Sequence, residues 1–280
     1  MKTTAYWYDT EANFGDMLTP NILRKIFNIS LEHAEPQNCN IYAIGSILES
    51  LFTNSMSLRK RIKKLFNKPV IIWGSGFIKP EQNQKYISIR KMDVRAVRGK
   101  LTLERIQKYI KTKQDIVLGD PGLLCSMLID TSNINKKYEL GIIPHYVDSK
   151  SPYLNNINVK NSVIIDITKP VEHVLKQIAQ CKCIISSAMH GLIAADSLGI
   201  PNIRMILSDK IIGGDYKYND YYSAFGIKNH HKVDLRKEFF LEKDLGALSK
   251  NYQVKKEVVH QKQIELLKAF PYKIKRKICL

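Results

Sequence analysis

Acidic residues are the first shortage in this chain of 280 residues. Asp+Glu number 26 against 44 Lys+Arg, a formal charge of +18 with pI near 9.6. That balance excludes an acidic binding module and favours anionic partners: nucleic acid, anionic lipid or an acidic glycan. Long apolar runs are also missing. None approaches the roughly 18 residues needed to cross a bilayer, and the opening MKTTAYWYDT has no apolar signal-peptide core before Asp9. The expected location is the cytoplasm. Cysteines are few, odd in number and without CxxC spacing: Cys39, Cys125, Cys181, Cys183 and Cys279. This excludes a disulfide framework and a zinc site, and no other metal-ligand cluster is visible. Cys181 and Cys183, alternating along a strand, are expected to share a buried face. There is no internal repeat, no low-complexity tract and no nucleic-acid module or basic-aromatic platform, so nucleic acid is not an expected partner.

What the chain does have is strands that end in glycine, serine or a charged residue and then run into helices. The clearest example is Ile184–Pro201, IISSAMHGLIAADSLGIP. It reads as a buried strand, a tight turn and a helix stopped by Gly199. Ser186, Ser187 and His190 fall between the strand's carboxyl end and the helix's amino end. Open α/β sheets bind ligands there, and free N–H groups favour an anion. The structural alternative is a helix cap at Ser187 and a packing histidine at 190.

The same punctuation recurs in order. Thr3–Tyr8 reads as a strand, followed by Asn13-Phe14-Gly15-Asp16 and a helix with an acidic cap, in which Pro20 is tolerable only in the first turn. Strands Ile41–Ile44 and Val70–Trp73 end in Gly45-Ser46 and Gly74-Ser75-Gly76, a phosphate loop or a simple turn. Further strands are expected at Tyr86–Arg90 and Asp93–Val97. Arg98 then stands in a strand-to-helix turn, where a guanidinium can fork onto a phosphate or carboxylate or simply face solvent. Ile116–Leu118 runs into Gly119-Asp120-Pro121-Gly122. After a polar linker at 136–139 the series restarts: Leu140–Ile143 into His145, then Ser162–Ile165, a helix over Pro170–Gln180 and the central unit. Tyr216–Tyr222 is either an interdomain packing helix or a sugar-stacking patch. A last helix is expected over Val254–Phe270. The expected architecture is therefore α/β, with two Rossmann-like doubly wound domains over 1–135 and 136–245 and a C-terminal helix with basic tail over 246–280.

Six stretches run in order along most of the chain: NFGD at 13–16, GSGF at 74–77, VRGK at 97–100, GDPG at 119–122, PHYVD at 144–148 and SSAMHGLIAADSLGIP at 186–201. Together they resemble the polysaccharide pyruvyl transferase family. The resemblance implies a GT-B-like pair of domains with the site in the cleft. It implies transfer of the enolpyruvyl unit of phosphoenolpyruvate onto two hydroxyls of an oligosaccharide or lipid-linked sugar, giving a cyclic pyruvate ketal, with neither cofactor nor metal. In that chemistry Arg98, His190 and the amides after Ser187 would hold the anion. Asn13, Gly74, Ser75, Gly191 and Asp120 would complete the substrate surface. His145 or His190 would protonate carbon 3, and Asp16, or after it Asp120, would take the sugar proton. One departure stands out. Many relatives carry arginine two residues before the motif histidine, where this chain has Ala188; Arg98 or Arg204 would have to compensate, or the donor differs. The alternatives are a nucleotide-sugar glycosyltransferase of GT-B form, which fold alone cannot separate, and a noncatalytic basic protein binding glycan or membrane. Two basic runs that interleave apolar residues, Arg59–Lys68 and Lys273–Lys277, suit peripheral contact with an anionic inner membrane face.

Overall fold

The computed structural model describes residues 3–9, 13–59, 62, 68–81, 86–112 and 115–272. The N-terminal half contains strands β1 (Thr3–Tyr6), β2 (Leu31–His33), β3 (Ile41–Tyr42), β4 (Phe52–Thr53), β5 (Val70–Trp73), β6 (Ile87–Ser88), β7 (Met92–Val97) and β8 (Val117–Leu118). The C-terminal half adds β9 (Tyr138–Ile143), β10 (Ile157–Asn158), β11 (Ser162–Ile164), β12 (Cys181–Ser186), β13 (Asn202–Ile206), β14 (Lys232–Asp234) and β15 (Phe240–Leu241). The helices are α1 (Phe14–Lys25), α2 (Lys100–Gln107), α3 (Val171–Ala179), α4 (Met189–Ser197), α5 (Tyr216–Ser223), α6 (Asp244–Lys250) and α7 (Lys256–Ala269).

Two sheets carry the fold. One runs β2-β1-β3-β5-β7-β8 and the other β11-β9-β12-β13-β14, with parallel pairing throughout both. If each sheet's own strands are counted in chain order, both begin 2-1-3-4-5. This is a doubly wound order whose switch point lies between the first and third strands. Strands buried on both faces read as continuous apolar runs, and β12 shows why: Ile184 faces a core shared with α1, α4 and α7, while Cys183 and Ile185 face a second cluster with Leu140 and Met205. Cys181 and Cys183 therefore do not share a face. Cys181, at the strand's first position, turns its thiol to the Gln177 carbonyl of α3 at 3.2 Å.

The large core is continuous through both halves, from Ala5 to Phe270. Helix α7 belongs to it. Trp73 Nε1 donates to the Leu266 carbonyl at 2.9 Å, and Lys262 and Gln263 donate to the Leu118 and Leu123 carbonyls at 2.8 and 2.7 Å. The C-terminal helix is thus packed back onto the N-terminal half.

Two local expectations are corrected. Helix α1 starts a turn earlier than its apolar spacing suggests, because Asn13 rather than Asp16 caps it, accepting from the Asp16 N–H at 3.2 Å. Pro20 is consequently inside the helix, where it offers no N–H to the Asp16 carbonyl. Residues Tyr138–Glu139, read as linker, already form the start of β9. The basic runs lie outside the described residues apart from Arg59, Ile62 and Lys68. Among the described residues no helix is long and apolar enough to cross a membrane.

Candidate functional site

The carboxyl ends at the two switch points face each other across one cavity of about 290 Å³. From the first sheet come Tyr8 after β1, Asn13–Asp16 at the start of α1, and Gly45–Ile47 after β3. From the second come His145 and Tyr146 after β9 and Ala188–Gly191 at the start of α4, with Lys217 from α5 closing one side. Helices α1 and α4 thus both present their amino ends to the cavity, where first-turn N–H groups and the helix dipole favour negative charge. Another cavity, about 260 Å³, lies by His230, His231 and the start of β14, at the amino ends of the strands. The cleft is distinguished from it by its converging ionisable groups rather than by size.

Those groups are strongly perturbed, each chiefly by burial. Asp16 is pushed up to about 6, opposed by its bond to Asn13 and by Lys217. His145 is pushed down to about 4 by burial and then Lys217. His190 is pushed down to about 3 by burial, with Lys217 and Arg98 adding to it. Lys217 is lowered to about 8 by burial, then by Arg98 and Arg204, while Asp16 opposes. His145 Nδ1 accepts the Val147 N–H at 3.4 Å, as a neutral imidazole can.

The fold therefore brings together Asn13, Asp16, His145, His190 and Gly191 in one cavity wall. A Cβ on Gly191 would sit 2.5 Å from Ser186 Oγ, so only glycine allows α4 this approach to β12. Other predicted residues lie elsewhere. Ser187 is fully buried, its hydroxyl accepting the His145 N–H at 2.8 Å and its carbonyl accepting Tyr218 Oη–H at 2.7 Å. It does not cap α4; Ser186 Oγ takes the Ala188 N–H instead. Gly74 (φ +90°) packs on Pro121, where a Cβ would meet Cδ at 2.0 Å. Ser75 is buried, donating to the Ala43 carbonyl at 2.9 Å. The Gly-Ser-Gly stretch is a packing turn. Asp120 is buried beneath the cavity, beside His190.

Arg98 is neither at the surface nor in the cavity wall. It is fully buried, and its guanidinium forks onto protein groups: Asp220 Oδ2 at 2.8 Å, the Phe77 carbonyl at 2.6 Å and Ser46 Oγ. Asp220 also accepts from Thr102 N–H at 2.9 Å and Oγ1–H at 2.7 Å. This pair joins the two halves across 122 residues of sequence. Arg204 is also committed, at 2.7 Å from Asp215 with its guanidinium 3.7 Å over the Tyr218 ring.

Lys217 is the residue that sequence reasoning missed. It lies in Tyr216–Tyr222, which the structure shows as a buried packing helix. Among the described residues Lys217 has no ion-pair or hydrogen-bond partner for its ammonium, which lies 5.5 Å from the Tyr218 ring centroid. It shares a helix face with Asp220 at i+3 and Tyr221 at i+4, both buried in the structure.

The family model for polysaccharide pyruvyl transferase matches residues 3–209. The uncharacterised protein L143 of Acanthamoeba polyphaga mimivirus is 39% identical over 168 residues, covering 58% of this chain and 57% of its own. Succinoglycan biosynthesis protein ExoV of Rhizobium meliloti (strain 1021) is 25% identical over 227 residues, covering 79% of this chain and 64% of its own. The chain thus spans less than two thirds of either relative. A solved structure of a functionally uncharacterised protein from Klebsiella pneumoniae subsp. pneumoniae NTUH-K2044 covers 79% of this chain and 87% of its own at 15% identity, with a TM-score of 0.43. From the match over residues 3–209, the chain belongs to the polysaccharide pyruvyl transferase family.

Proposed function

We propose that the cleft transfers the enolpyruvyl unit of phosphoenolpyruvate onto two hydroxyls of a polysaccharide sugar, closing a cyclic pyruvate ketal, and that the halves work as a GT-B-like pair. The observation that carries this reading is Lys217: a buried cation with no carboxylate ion pair among the described residues, set in the same cavity as the amino ends of α1 and α4. A small, multiply charged anion suits that arrangement, and Lys217 stands in for the arginine that Ala188 replaces. Arg98 contributes from behind the wall, through its field and by fixing Asp220.

The chemistry follows from the groups present. Proton transfer to carbon 3 leaves carbon 2 oxocarbenium-like, and His190 carries that proton. In the unliganded cleft burial and two cations disfavour the imidazolium; the negative charge of phosphoenolpyruvate beside Lys217 reverses that bias. Asp16, raised to about 6, accepts the proton of the first sugar hydroxyl as its oxygen bonds to carbon 2. The carbon 2–phosphate bond then breaks, its electron pair leaving with phosphate, and the second hydroxyl closes the ring. Of the two hydroxyl protons, one replaces the proton given to carbon 3 and the other departs on phosphate. His145, neutral and facing the same space, orients the acceptor. The basic runs 59–68 and 273–277 would bring the enzyme to anionic membrane carrying a lipid-linked acceptor, which vesicle co-sedimentation at low and high salt tests.

The experiment is calorimetric titration of phosphoenolpyruvate and of a panel of nucleotide sugars. Phosphoenolpyruvate should bind, and Lys217→Ala should weaken it by about tenfold or more. Binding of a nucleotide sugar with no response to phosphoenolpyruvate would make the protein a glycosyltransferase instead.

A further inference from the structure

Two buried polar atoms at the base of the cleft have no hydrogen-bond partner among the described residues: Asp120 Oδ2 and His190 Nε2. They lie 3.8 Å apart, one from each half of the chain. Burying two such groups unpaired costs free energy twice, and a single proton between them satisfies both. We propose that Asp120 is the positioning carboxylate of His190, accepting its Nε2–H and leaving Nδ1 as the nitrogen that exchanges a proton with substrate. This rests on the proton-carrying role given to His190 above and replaces the substrate contact expected of Asp120, whose carboxyl does not reach the cavity wall.

The surroundings hold both partners in place. Asp120 caps the 3-10 helix Pro121–Leu128, and its Oδ1 accepts the Gly122 N–H at 2.8 Å, which points Oδ2 away from that loop. Pro121 restrains the backbone of Asp120. His190 fits a slot left by two glycines of the N-terminal half. A Cβ on Gly15 would lie 2.3 Å from Nδ1, and one on Gly122 would lie 3.6 Å from Cδ2. Gly15 therefore marks the side of the ring at the cavity wall, and Gly122 the side towards Asp120. Closing 3.8 Å to hydrogen-bond distance takes a relative shift of about 0.8 Å, within reach of a small closure of one half on the other. Burial raises Asp120 to about 7 and depresses His190 to about 3, so the pair holds no more than one shared proton above neutrality. The histidine comes from one half; the carboxylate and the slot come from the other. His190 is thus oriented only while the halves are docked.

The test is the histidine tautomer, read from long-range ¹H–¹⁵N correlation spectra of the ¹⁵N-histidine-labelled full chain at pH 8, with His190→Gln used only to assign the signal. The expected result is a neutral ring carrying its proton on Nε2. In Asp120→Asn the amide can donate to Nε2, so the proton should move to Nδ1, and kcat should fall about 100-fold or more with KM for phosphoenolpyruvate little changed. A wild-type ring protonated on Nδ1 overturns the proposal without any variant having to fold. An unchanged tautomer in folded Asp120→Asn does the same. The tautomer is read without substrate, so an Nε2–H ring in a protein that never turns over phosphoenolpyruvate would remove the proposed reaction and leave the pairing standing.

Discussion

The sheets of the two halves both begin 2-1-3-4-5, and the halves present the same feature to the cleft, the amino end of a helix beside a switch point. They differ in what they load onto it. The N-terminal half supplies carboxyl groups, Asp16 and Asp120, and glycine gaps at Gly15 and Gly122. The C-terminal half supplies nitrogen bases and a cation: His145, His190 and Lys217. In the proposed reaction the carboxylate that takes the sugar proton comes from one half and the histidines and the lysine from the other, so that reaction needs both halves. The continuous core and the buried Arg98–Asp220 pair hold the halves together at that junction.

The strongest way to break the pairing of halves is Asp220→Ala. Both partners are fully buried, and deleting one leaves Arg98 charged and uncompensated, which costs about 3–5 kcal/mol. Chemical denaturation should show that loss. Replacing both residues with apolar ones of similar size should recover much of it. A loss below about 1 kcal/mol, the scale of an exposed pair, would mean that the halves are held together elsewhere. Next in size, His190→Ala should lower turnover by about 100-fold or more while leaving the thermal midpoint close to that of the wild type. Full turnover in that variant would return His190 to the role of packing residue.

The cleft residues of the two halves should also differ in the sign of their pH dependence. Asp16 and Asp120, raised to about 6 and about 7, bind protons more tightly folded than unfolded, where carboxylates titrate near about 4. Their contribution is complete below that value and is lost as pH rises through about 6 to 7. His145 and His190, lowered to about 4 and about 3, stabilise fully above the unfolded histidine value of about 6.5. That contribution is lost as pH falls through about 4 to 3. Outside the cleft, Asp196, raised to about 6, and His230, lowered to about 4, both in the C-terminal half, add one group to each sign. Between about pH 4 and 6.5 the slopes oppose, and wild-type stability should be nearly flat. Asp16→Asn should tilt the curve upward with pH, and His145→Gln should tilt it downward. Parallel curves for the two variants would refute the division of labour between halves. The smallest effect concerns the role of α7: Trp73→Phe removes the bond to the Leu266 carbonyl and should cost about 1–2 kcal/mol without changing the affinity for phosphoenolpyruvate.

Much of this was readable from the sequence, because it is local. The strand ends at Ile143 and Ser186 and the helix that His190 helps to open follow from apolar runs punctuated by Gly, Ser and Pro. Cavity residues Asn13, Asp16, His145, His190 and Gly191 all sit at such punctuation. The rest depends on distant pairing. Arg98 reads as an anion ligand until Asp220, in another half, takes its fork. Gly74 and Ser75 read as a phosphate loop until Pro121 and the Ala43 carbonyl are brought against them. Lys217 reads as one cation among many, because nothing nearby in sequence says that α5 is buried on the side facing the cleft. Pro20 in mid-helix was hidden by a cap placed one turn too late.

The central claim, pyruvyl transfer at the junction of the halves, is tested most directly by incubating the full chain with phosphoenolpyruvate and a panel of lipid-linked and nitrophenyl hexosides. Phosphate release and the mass of the sugar product are measured together. One phosphate should be released for each acceptor that gains the mass of pyruvic acid less one water, with both signals lost in His190→Ala. Sugar transfer from a nucleotide donor, with no phosphate from phosphoenolpyruvate under any acceptor, would contradict that claim.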